Sequence, residues 1–267
     1  MPRAAPGRRA RGLTTLRCQV LWHEVVIEVD DPAAQRDLGL MIQAASHDIA
    51  PRAIARLDVI GAVDRGYDVL DNGDLLARVD TPREVLDAVF TRVHRRAFEL
   101  ASLRGWVRFN GAVLTVGSTR LALVGESGAG KTSLTAALLA DGASVETDES
   151  FVAHNGQVLS VARRLHVKPG TAELLADRDW LDQAPVLDGD PPLRVVDPTE
   201  HGYEWTLPLG RVDAIVLIER VGGESAVEPI GASVVVQRLI TESFPVVEPR
   251  VTVVREASAL LQGTRTH

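Results

Sequence analysis

The sequence predicts an α/β protein of two units: a small α+β domain over residues 18–104, then a larger domain over 105–250 whose mixed sheet carries flanking helices. Three observations lead there. An apolar run, LALV, passes straight into a glycine-rich turn and then an apolar helix pattern, SLTAALLA, as a strand–turn–helix unit does. Upstream, short β-branched runs alternate with two helix-period segments. The chain has 267 residues, 45% hydrophobic and 24% charged, enough for two modest cores and too apolar for a disordered protein.

The first seventeen residues carry Arg3, Arg8, Arg9, Arg11 and Arg17 and no acid. They lack an apolar targeting core and are expected to form a disordered basic tail, 1–17. The formal charge is −7, so the remaining body is more acidic than the total, which argues against general nucleic-acid binding. No apolar run is long enough to span a bilayer. Cys18 is the only cysteine, which excludes an intrachain disulfide and a cysteine-based metal cluster and fits a reducing, cytoplasmic setting.

In the first unit, QVLWHEVVIEV (Gln19 to Val29) reads as one strand and the segment from Pro32 to about Ala45 as a helix. ARLDVIG, YDVL and LLARV read as further strands, with Asn72-Gly73 making a tight hairpin turn. TPRE at Thr81–Glu84 is a capping box with Pro82 at the first helical position. Behind it Val85, Val89, Val93, Ala97 and Leu100 recur at helical spacing, extending the helix to about Leu103. No chemical motif falls in this unit, which is a candidate for docking a substrate. His23, His47 and His94 have no partners nearby in sequence and read as packed or exposed side chains, and the four scattered tryptophans as packing residues.

The second unit opens with WVRFNGAVLTVGSTRLALVG, three strands with a Gly-Ser-Thr turn before the last. A helix follows from Lys131 to about Ala140, stopped near Asp141-Gly142, then the strand SVET. FVAH and QVLSV flank Asn155-Gly156 as a second hairpin. Later come a helix around Thr171–Leu181, the strand AIVLIE, a helix around Ala232–Ser243, and a C-terminal helix and tail over 251–267.

Gly125, Gly130, Lys131 and Thr132 satisfy GxxxxGK[ST], the phosphate-binding loop. In such a loop successive backbone N–H groups and the helix N-terminus face phosphate oxygens, and side chains at the glycines would obstruct them. The expected nucleotide contacts are Gly125, Glu126, Ser127, Gly128, Ala129, Gly130, Lys131, Thr132 and Ser133. Lys131 supplies charge near the outer phosphates and the Thr132 hydroxyl ligates Mg²⁺. No NKxD or LSGGQ-like motif is present, so ATP is the expected nucleotide by default. Asp148-Glu149 follows one helix and one strand later. Two acids there can serve as proton acceptor and Mg²⁺ holder, or simply cap a polar strand end; spacing alone leaves both open.

Residues 110–150 resemble the phosphate-loop region of HPr kinase/phosphorylase, and more closely its relatives with a different N-terminal domain. Gly125, Ser127, Gly128, Gly130, Lys131, Thr132, Gly142 and Asp148 match that pattern; Glu149 stands where the family has a second Asp. The close match covers about forty residues, and a looser one reaches most of 105–245. The resemblance implies a P-loop NTPase-type fold and ATP-dependent phosphorylation of a hydroxyl on a protein, peptide or small molecule. Asp148 would be the base, with Glu149 and Thr132 at the metal. It also implies a homo-oligomer as a candidate state, because the better-known relatives assemble. Asn110 stands where the family has His, fifteen residues before Gly125, so a proton-carrying group is lost there. The segment tied to the reverse reaction has no counterpart, and phosphorylase activity is not expected.

In ARRLHVKPG, Lys168 is the candidate for a phosphate or substrate contact, ahead of Arg163 and Arg164. His166 alternates with apolar neighbours and reads as a strand residue rather than a substitute for the lost His. Glu219, closing AIVLIE, reads as the end of a core strand, and RLITESF as a packing helix. Two other classes stay beside the kinase reading: a nucleotide-binding regulatory module that has lost transfer, and a simple ATPase.

Overall fold

The computed structural model describes residues 13–41, 46–62, 66–175, 179–189, 191–202, 205–220, 226–244 and 248–267. Strand β1 (Thr14–Val20) pairs antiparallel with β2 (His23–Val29), and helix α1 (Pro32–Met41) follows. The short β3 (Ser46–His47) precedes β4 (Ala53–Ala62), β5 (Gly66–Asp71), β6 (Asp74–Val79) and the long helix α2 (Pro82–Ser102). The first sheet runs β1-β2-β4-β5-β6, with only β2 and β4 parallel. Alternation in β2 sends Val25, Ile27 and Val29 inward, and Val85, Leu86, Val89 and Val93 of α2 join them in one apolar core. Thr81 accepts from the Glu84 N–H and Glu84 reaches back to the cap, so the capping box is formed.

Two expectations are corrected here. Gln19–Val29 is not one strand: the chain reverses at Leu21-Trp22, with Leu21 at φ 52°. No glycine or asparagine marks this turn. Leu21 is fully buried and Trp22 nearly so, and that burial offsets a left-handed conformation costing a leucine about 1–2 kcal/mol. The basic tail also ends earlier than 17, because Thr14–Arg17 pair with Val29–Val26 in β1; residues 1–12 lie outside the described residues.

In the second unit β7 (Val107–Asn110), β8 (Ala112–Val116) and β9 (Thr119–Val124) precede helix α3 (Lys131–Ala140). Next come β10 (Ser144–Thr147), the hairpin β11 (Ser150–His154) and β12 (Gln157–Ser160), and β13 (Leu165–Val167). The helix expected at Thr171–Leu181 is instead two short ones, α4 (Pro169–Leu174) and α5 (Asp179–Gln183), with 176–178 outside the described residues. Strands β14 (Val186–Leu187), β15 (Leu193–Val196), β16 (Thr206–Leu207) and β17 (Ala214–Leu217) lead to α6 (Ala232–Thr241), α7 (Arg250–Leu260) and β18 (Arg265–Thr266). The central sheet is mixed, in the order β10-β8-β9-β17-β18. The C-terminal segment is therefore no tail: β18 lies parallel to β17, and α7 buries Val253, Ala257 and Leu260 in the second core.

The two units are joined by more than a linker. Val152, Leu159 and Val161 share the apolar cluster of α2, Trp22 lies 5.2 Å from Trp106, and β3 pairs with β16. Among the described residues no helix is long and apolar enough to cross a membrane.

Candidate functional site

Strand β9 ends at Val124 and the chain turns through 125–130 into α3. Glycine is needed at three of these positions. A Cβ on Gly125 would stand 2.6 Å from the Ile218 carbonyl oxygen, while Gly128 and Gly130 have φ of 83° and 106°. The first N–H groups of α3 have no intrahelical acceptor and open, with the loop, onto a cavity of about 510 Å³. The Lys131 ammonium bends back over the loop, donating to the carbonyls of Gly125 (2.7 Å) and Glu126 (3.0 Å), and burial lowers its pKa.

The cavity gathers Ser127, Gly128, Gly130, Lys131, Thr132 and Ser133 from the loop and helix. Asn110 at the end of β7, Asp148 and Glu149 after β10, and Lys168 after β13 also line it. Gly125, Glu126 and Ala129 do not line this cavity: Gly125 is buried, and Glu126 and Ala129 line a neighbouring one with Ser127 and Gly128, where the Glu126 carboxylate meets Arg238 at 2.5 Å. Glu219 is exposed and also accepts from Arg238, at 3.0 Å.

The two acids part company. Thr132 Oγ1 donates to Asp148 Oδ2 at 2.9 Å, whereas Glu149 forms an ion pair with Arg163. The carboxylate beside the Thr132 hydroxyl is thus Asp148, not Glu149. Burial pushes the Asp148 carboxyl up, against the downward pull of Arg163 and the Thr132 hydroxyl. Its second oxygen, Oδ1, is buried without a protein partner. Among the described residues no group of three or more His, Cys, Asp or Glu could hold a metal by itself. The Thr132 hydroxyl and the Asp148 carboxylate, to which the orphaned oxygen belongs, suit Mg²⁺, which takes few protein ligands when phosphates and water complete its shell.

Sequence reasoning ranked Arg163 behind Lys168 and read His166 as a strand residue; His166 does lie in β13, and both side chains also reach this region. His166 lines the cavity and its Nδ1 meets Arg163 Nη2. Thr171, also at the wall, exchanges a 2.9 Å hydrogen bond with Ser133 and so ties α4 to α3. Nothing local in ARRLHVKPG marks these roles, because they arise only when β13 is laid beside α3.

A scan against protein-family models finds no match to this chain, and a search of curated proteins finds none either.

Proposed function

We propose that this chain is an ATP- and Mg²⁺-dependent phosphotransferase that moves a phosphoryl group to a hydroxyl. The observation that carries the reading is the 2.9 Å contact between Thr132 and Asp148 at the wall of the cavity onto which the loop opens. It joins a residue in the first turn of the helix after the loop to a buried carboxylate of raised pKa, a group suited to take up a hydroxyl's proton. Backbone N–H groups of the loop and the Lys131 charge hold the phosphates. Mg²⁺, when bound by Thr132 and Asp148, neutralises charge on the outer phosphates.

The acceptor oxygen forms a bond to the terminal phosphorus as the bond from that phosphorus to the diphosphate oxygen breaks. The acceptor's proton passes to Asp148 Oδ1, the carboxylate oxygen left without a partner. Asn110 stands beside this centre as a carboxamide, able to orient a hydroxyl and unable to carry a proton. That same residue favours a second reading, a nucleotide-binding module without transfer.

Incubation with γ-labelled ATP and Mg²⁺ against pooled hydroxyl-bearing peptides and small molecules separates the readings. Label in an acceptor supports transfer, free phosphate alone supports an ATPase, and saturable binding without turnover supports the module. Asp148→Asn is expected to lower transfer by at least about a hundredfold while nucleotide still binds; a variant that transfers at the wild-type rate would remove Asp148 from the mechanism.

A further inference from the structure

His166 lines this cavity and carries a hydrogen that nothing in the protein takes up. It sits in the middle of β13, 9% exposed. Its Nδ1 faces Arg163 Nη2, and a guanidinium can only donate, so Nδ1 must present its lone pair. Burial and the Arg163 charge push His166 down to about 3, so the ring is neutral near pH 7 and its one proton is on Nε2. That Nε2–H is buried with no partner. Leaving a buried donor unmet costs about 1–3 kcal/mol, a cost that a ligand oxygen would relieve.

The tautomer is held from outside the site. Arg163 is fixed by the Glu149 carboxylate and by Phe90 of α2, whose ring lies 5.8 Å from the guanidinium. Next in the chain, Arg164 donates to Asp197 (2.7 Å) and to the Gly39 carbonyl at the surface of α1 (2.5 Å). The first unit therefore sets the arginine that sets the imidazole.

The two orphaned atoms of the cavity have opposite polarity: Asp148 Oδ1 accepts a hydrogen and His166 Nε2–H gives one. A hydroxyl's proton suits the first, and a phosphoryl oxygen, which brings no hydrogen, suits the second. We propose that His166 Nε2–H donates to an oxygen of the terminal phosphoryl group, making His166 the residue that distinguishes a nucleoside triphosphate from a diphosphate and Arg163 its positioning residue. This rests on the nucleotide site proposed above.

Calorimetric titration with Mg²⁺-ADP and with a Mg²⁺-bound β,γ-imido ATP analogue tests it. His166→Leu is expected to lose about tenfold affinity for the analogue and less than twofold for ADP, and His166→Gln, whose amide reaches the Nε2 position, to recover part of the loss. In ¹⁵N-labelled wild-type protein the imidazole signals should show an Nε2–H tautomer, with Nε2 shifting on addition of the analogue and not of ADP. Equal weakening toward both nucleotides, an unchanged preference in His166→Leu, or the opposite tautomer overturns the His166 assignment alone. Wild-type protein that binds neither nucleotide overturns the site itself.

Discussion

Arg120 and Arg163 are both arginines drawn out of solvent and set against a glutamate, and their partners, Glu146 and Glu149, stand three residues apart. Their surroundings differ. Arg120 makes two bonds to Glu146, at 2.7 and 2.8 Å, and others to the carbonyls of Pro208 and Gly210. Ser160 adds a 2.6 Å bond to the same carboxylate, and the Trp205 indole donates to the Glu146 carbonyl. Around Arg163, by contrast, its own Nε, Asp148 Oδ1, His166 Nε2 and His94 Nε2 are buried without protein partners. A network with its hydrogen bonds complete holds structure together, whereas one left incomplete beside a cavity suits the ligand role proposed above.

The largest test of this contrast is Arg120→Met. It strands a Glu146 side chain that is 5% exposed, and should cost about 3–5 kcal/mol in urea unfolding. The double variant Arg120→Met/Glu146→Met should recover at least half of that, since no buried charge is left alone. Full loss in both would mean that packing, not the charge, is what matters at Arg120.

Arg163→Met should behave differently, costing under about 1 kcal/mol, because Glu149 keeps 37% of its side chain in solvent and Met retains the contact with Phe90. A loss as large as that of Arg120→Met would make Arg163 a structural arginine and erase the distinction.

A further test is in pH. His94 on α2 stacks on Phe90 at 3.8 Å and donates from Nδ1 to the Phe90 carbonyl. Burial, then the charges of Arg163 and Arg108, hold it down at about 4, below the ordinary 6.5. The unfolded chain thus binds the proton more readily. Stability from His94 is complete above pH 6.5 and falls away as the pH drops toward 4. His94→Phe should flatten that part of the profile, measured as the urea midpoint from pH 7 to 4.5; an unchanged slope would place the acid sensitivity elsewhere, for example in His166.

What could be read from the chain was local. The loop 125–130 shows itself through Gly128 and Gly130, which need only positive φ, the Thr81 box closes within four residues, and the turns at Asn72-Gly73 and Asn155-Gly156 have left-handed φ at adjacent positions; the approach of Gly125 to Ile218, by contrast, is set by the fold. The turn at Leu21-Trp22 left no such mark, because burial in a core built from distant strands holds it.

The site divides the same way. Sequence alone determined that Lys131 and Thr132 begin a helix after a glycine turn and that two acids follow one strand later. Only the tertiary structure decided which acid meets Thr132, that the other is taken by Arg163, and that Phe90 and His166 both approach that arginine. The reason is physical: hydrogen bonds and ion pairs act over about 3–4 Å, and residues tens of positions apart come within that reach only once the sheets have packed.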